Sequence, residues 1–136
     1  MESFQLDKDI DVFYVTATSF PDGVMEAFDK LNALLPKNEK RTLYGISFPD
    51  RSGKIIYRAA AEAKHPGEGS QLGCESFVIQ KGKYESTTVR NFMTNLAAVG
   101  QAFDRMLKNP KLHPQGYCLE IYANDHDVQC LVKLID

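Results

Sequence analysis

The pentapeptide AFDKL that begins at Ala27 returns as AFDRM at Ala102, each time inside an amphipathic helical stretch flanked by strand-like segments. In the first stretch Val24, Ala27, Phe28, Leu31, Leu34 and Leu35 share one helical face. In the second, Phe92, Met93, Leu96, Val99, Phe103, Met106 and Leu107 do the same. Two apolar stripes need two apolar surfaces to cover, and a single sheet supplies both if the helices lie side by side on it.

The flanking segments supply the strands. Residues 12–18, VFYVTAT, are β-branched and aromatic. Ser19 is placed to cap the first helix, with Pro21 in its first turn, Asp22 in a capping-box position and Pro36 as its stop. Residues 42–48, TLYGISF, and 54–63, KIIYRAAAEA, form two strands around the turn PDRSG, the alanine run weakening the second at its C-terminal end. Residues 64–73, KHPGEGSQLG, read as a glycine-rich linker. Beyond it ESFVI, the turn QKG and KYESTTV predict a hairpin, the second helix follows, and YCLEIYA, NDHD and VQCLVKLI predict strand, turn and strand.

Each half thus reads strand, helix, strand, turn, strand, over residues 10–63 and 74–135 of one domain spanning 1–136. Carried across the offset of the pentapeptides, Gly45-Ile46 meets Glu120-Ile121 and Asp50 meets Asp125. Two copies of a unit point to a pseudo-twofold domain, since a solenoid needs about three. The expected fold is α+β: two strand–helix–strand–strand repeats in one antiparallel sheet, both helices on one face, the other face curved and partly open, and a ligand cleft at the junction.

Composition limits the chemistry. A formal net charge of −2 gives no basic excess for nucleic acid or an anionic membrane. No apolar run reaches the ~18 residues of a membrane helix, and the N-terminus lacks the pattern of a secretion signal. Cys74, Cys118 and Cys130 form no C-x-x-C pair, so a disulfide framework is not expected and a reducing cytoplasm is the simplest setting. His65, His113 and His126 lie in loops without metal-ligand spacing, and GEGSQLG misses the dinucleotide fingerprint; no metal or cofactor is implied.

One residue stands out. In GYCLEIYAND, strand alternation puts Cys118, Glu120 and Tyr122 on one face, against Leu119 and Ile121 on the other. Glu120 is a carboxylate in the middle of an apolar strand. Its counterpart Gly45 has no side chain and shares its face with Leu43 and Ser47. A solvated position on an open sheet explains such a carboxylate; so does a ligand-facing one.

RTLYGISF with IIYRAAAE, GCESFVIQKGKY, the helix containing FDRML, and GYCLEIYANDHDVQCLV resemble the GyrI-like small-molecule-binding domains. These also occur as effector-binding domains of AraC- and MerR-type bacterial transcription activators. The resemblance spans residues 12–134, and its most specific part is the Glu followed by Ile and Tyr. It implies a pocket for organic, often cationic or aromatic compounds, with Glu120 projecting into it and Tyr57, Tyr84 and Tyr122 as candidate walls. Cys118, Gly45 and Ser47 share the inferred pocket face. Both predicted helices belong to the repeats and leave none for a helix-turn-helix module, so the stand-alone members are the nearest match. The readings that follow are sensing or sequestration of a small molecule, a hydrolase using Glu120 with a tyrosine hydroxyl, and a module that modulates a protein such as DNA gyrase. An exposed sheet edge also suits a homodimer. Catalysis by Cys118 lacks a neighbouring base or positive charge.

Overall fold

The computed structural model describes residues 2–37 and 39–136. It is an α+β fold in which eight strands form one antiparallel sheet that curls into a half-barrel. The strands are β1 (Glu2–Leu6), β2 (Ile10–Thr16), β3 (Leu43–Pro49), β4 (Ile55–Glu62), β5 (Glu75–Ile79), β6 (Gly82–Val89), β7 (Cys118–Tyr122) and β8 (Val128–Lys133). The helices are α1 (Val24–Leu34), α2 (Glu68–Gln71) and α3 (Leu96–Met106), the last preceded by a 3-10 turn at Phe92–Thr94. Across the sheet the order is β1-β6-β8-β7-β3-β4-β2-β5. Among the described residues no helix is long and apolar enough to cross a membrane.

The central pair is β3 with β7, in a register that sets Gly45 directly opposite Glu120 and Ser47 opposite Cys118. Two segments escaped the sequence reading. Strand β1 pairs with β6 at one edge of the sheet, and the glycine-rich linker contains α2. Arg41, from the loop before β3, bonds Glu68 of α2 at 2.8 Å with both side chains buried.

The two faces of the sheet have different cores. On one, α1 sets Ala27 and Leu31 against Phe13, Ala59 and Ala61, while α3 sets Ala102 and Met106 against Val89, Val128, Cys130 and Val132. The other face curls around Val12, Tyr14, Tyr44, Ile46, Ala60, Tyr84, Leu119 and Leu131. This second face is curved, with a buried centre and partly exposed Phe4, Phe48, Phe77 and Tyr117 packed around it. The alanine run of β4 now has a reason. Ala59, Ala60 and Ala61 are all fully buried, because a strand covered on both faces has room for small side chains beneath a close helix. Packing overrides the weak strand preference of alanine.

The first helix starts with its stripe, at Val24, but after the expected Ser19 cap and Pro21 first turn, and the second starts later than its stripe. Gly23 occupies the N-cap of α1 with no side-chain cap, and Ser19 only accepts the Gly23 amide through its carbonyl. In the second helix Asn91 takes a left-handed conformation (φ 52°) and the regular helix begins at Leu96. Leu96, Met93 and Leu107 are exposed; the buried stripe is Ala102 and Met106, flanked by Ala98, Val99 and Phe103.

Candidate functional site

Alternation along β7 places Glu120 on the helix-covered face, with Cys118 and Tyr122 beside it and Leu119 in the opposite core. On β3, Gly45 and Ser47 share that face; on β4, Tyr57 does. The carboxylate therefore stands in the seam between the clusters under α1 and α3.

Two phenols hold it. The Tyr57 hydroxyl donates to Glu120 Oε1 at 2.5 Å and the Tyr122 hydroxyl donates to the same oxygen at 2.6 Å. Oε2 has no hydrogen-bond partner among the described residues, and it is not one of the polar atoms sealed from solvent. Gly45 makes this possible. A Cβ at that position would overlap both the Tyr57 hydroxyl and Glu120 Oε1, so the space left by the missing side chain is filled by the carboxylate and its phenol partner.

Aromatic rings wall the group. Phe20 stacks on Tyr57 (centroids 5.7 Å, planes 19° apart). Phe28 of α1 meets Tyr57 edge-on at 6.2 Å and Tyr122 at 5.7 Å. Phe92 meets Tyr122 at 5.4 Å. Tyr57 is buried, whereas Phe20 is 45% exposed and forms the outer rim.

Electrostatics follow from this enclosure. Burial raises the Glu120 carboxyl above its ordinary value, while the hydroxyls of Tyr122 and Tyr57, donating to the charged form, pull it back. Burial and then the Glu120 charge raise Tyr57 and Tyr122 well above the usual phenol range, so both remain neutral donors. Cys118 is pushed up to about 11 by burial, against which the Ser47 hydroxyl acts and to which the Glu120 charge adds. A thiol so protonated at neutral pH is a poor nucleophile.

The structure thus brings together Glu120, Tyr57, Tyr122 and Gly45, with Ser47 and Cys118 one register step along the same face. It does not bring Tyr84 to them. Tyr84 lies on β6, where the odd-numbered Thr87 and Val89 face α3 and the even positions face the other core. It is 1% exposed, and its hydroxyl bonds the Gln80 carbonyl at 2.6 Å and the Tyr117 hydroxyl at 2.7 Å. Phe20, Phe28 and Phe92 were missed as walls. Phe28 and Phe92 carried a signal, since both lie in the helical stripes, but a stripe reports burial without saying what is buried beside it. Ser47 and Cys118 also border a separate cleft of about 320 Å³, with Leu107, Leu112 and His113 on its far side. Among the described residues no three His, Cys, Asp or Glu side chains gather in a way that would hold a metal ion.

No protein-family model matches the chain, and no curated protein matches it by sequence. Solved structures do. An integron cassette protein from the mobile metagenome of Vibrio cholerae superposes with a TM-score of 0.70 at 12% identity, over 98% of this chain and 95% of that one. SAV2435, solved bound to tetraphenylphosphonium, gives 0.64 at 9% identity, over 98% and 93%. A hydrolase from Listeria innocua gives 0.61 at 12% identity, over 98% and 91%. At these identities the likeness is one of fold, and the fold is one on which a small organic cation is bound in at least one relative of shape.

Proposed function

We propose that this chain is a stand-alone binding domain of the GyrI-like kind that takes up a lipophilic organic cation at Glu120, for sensing or sequestration. The observation that carries the reading is the carboxylate itself: one oxygen fixed by two phenols, the other unpartnered, and aromatic rings around both. An ionised carboxylate in such surroundings is costly unless a positive charge answers it. A bound cation does so at Oε2, and each well-placed ring adds ~0.5–2 kcal/mol of cation–π attraction. Tyr57 and Tyr122 fix the carboxylate by hydrogen bonds and offer ring surface. Phe20, exposed at the rim, is the ring that moves to admit a ligand. The cation in the SAV2435 structure belongs to this class of compound. The two halves, in this reading, descend from one strand–helix–strand–strand unit, which the facing of Gly45 and Glu120 across β3 and β7 supports.

A hydrolytic reading is favoured by one feature, the free lone pairs of Oε2 beside two neutral phenols, which suit a carboxylate base activating water with a phenol as proton donor. It predicts product where a binder predicts only saturation.

The deciding experiment is a thermal-shift titration with tetraphenylphosphonium and with neutral triphenylphosphine oxide, on wild type and Glu120→Gln. A ligand bound only by the folded state raises Tm by mass action. The cation should stabilise the wild type far more than the neutral compound does, and the variant should lose that preference. Equal shifts in both proteins, or none in the wild type, overturn the reading.

A further inference from the structure

Tyr57 and Arg58 are neighbours on β4 and face opposite ways: Tyr57 joins Glu120, and Arg58 enters the half-barrel. There its guanidinium carbon lies 4.3 Å from the Tyr14 ring centroid, 4.7 Å from that of Phe48 and 5.7 Å from that of Phe77. Its Nε is sealed from solvent with no hydrogen-bond partner. The terminal nitrogens are not sealed, and they too have no partner among the described residues. No carboxylate among those residues comes within ion-pair distance. Glu75 on edge strand β5 accepts a hydrogen bond at 2.7 Å from the hydroxyl of Tyr14, the same residue whose ring Arg58 covers.

An arginine packed among three rings, with no carboxylate within ion-pair distance among the described residues, is a cation lacking its counter-ion, and its sealed Nε–H is costly to leave without an acceptor. The rings beside it are accessible: Phe48, Phe77 and Tyr117 are all partly exposed, and Phe77 meets Tyr117 edge-on at 5.2 Å. The planar fork of terminal N–H groups fits a carboxylate through two parallel bonds, and the rings fit a flat apolar body.

We propose that this end of the half-barrel is a second ligand site, for an aromatic carboxylate, in which Arg58 holds the carboxylate and Phe48 and Phe77 flank the ring. It stands independently of the Glu120 site, on the other face of the same sheet and with the opposite charge preference.

The Arg58 Nε–H gives its own signal in 1H–15N spectra. Titration with 2-naphthoate should move that signal saturably, and neutral 2-naphthamide should not. Arg58→Gln should weaken naphthoate binding at least about tenfold, the loss expected of a charged hydrogen bond. Glu75→Gln should strengthen it, up to ~5-fold, by removing a nearby like charge. Glu120→Gln should leave it unchanged. The proposal is overturned if naphthoate causes no saturable shift, if the amide shifts the signal equally, or if Glu120→Gln abolishes binding. If Arg58→Gln fails to fold, the wild-type titration and Glu75→Gln still decide the matter.

Discussion

Gly45→Ala tests the geometry of the Glu120 site without touching a polar group. Gly45 has no positive φ, so alanine suits its backbone. In open space the change would stabilise the protein by ~0.4–1 kcal/mol through the unfolded chain. The new Cβ, however, would overlap the Tyr57 hydroxyl and Glu120 Oε1. Glu120 can swing its carboxylate aside. Tyr57 cannot, because it is 3% exposed and its ring is held between Phe20 and Phe28. Overpacking of this kind costs ~1–3 kcal/mol, and the sign of the net change reverses to destabilising. With a urea slope of ~2 kcal/mol/M, the midpoint should fall by about 0.5–1 M. Tyr57→Phe removes the hydroxyl, the closest atom to the new Cβ, and leaves of the Tyr57 contacts only the milder ring-carbon one at 2.8 Å, so the double variant should lose less than the two single variants together, by ~1 kcal/mol. A Gly45→Ala midpoint at or above wild type, or strictly additive losses, would refute the claim that the missing side chain exists to seat the phenol and the carboxylate.

Two further outcomes follow from the same structure. Glu120 has a folded pKa above its ordinary 4.5, so its contribution to stability is full below that value and is lost as pH rises through the folded pKa. Glu120→Gln keeps an acceptor oxygen for both tyrosines without the charge; melting curves from pH 4 to 8 should show it more stable than wild type at pH 7, with the gap closing towards pH 4. Each tenfold difference in proton affinity is worth ~1.4 kcal/mol, and a constant gap across the range would contradict the burial of the charge. Tyr84→Phe should cost ~1 kcal/mol by leaving the Gln80 carbonyl and Tyr117 hydroxyl short of a partner. It should leave the tetraphenylphosphonium shift untouched; a lost shift would return Tyr84 to the site.

The alternation in CLEIY was enough to separate Glu120 from Leu119 and to place it with Cys118 and Tyr122, because successive side chains of any strand point to opposite faces. The pentapeptide offset was enough to match Gly45 with Glu120, although their direct facing is a fact of pairing. Strand β1 was not read from the sequence, although its Glu2-Ser3-Phe4 recurs as Glu75-Ser76-Phe77 and both tripeptides lie in the sheet's edge strands. Other features had no local signature. Tyr84 looks like any strand tyrosine until the register of β6 on β8 assigns its face. Phe20 and Phe28 look like a loop residue and a core residue until α1 docks over β4. Alternation, amphipathic stripes and turns are set by neighbours in the chain, so the sequence alone determined which residues share a strand face or a helix stripe. Which faces meet depends on register and curl, and these are decided by contacts between residues far apart in the chain. Only the tertiary structure could therefore put two phenols on one oxygen of Glu120 and leave Arg58 among aromatic rings on the other side of the sheet.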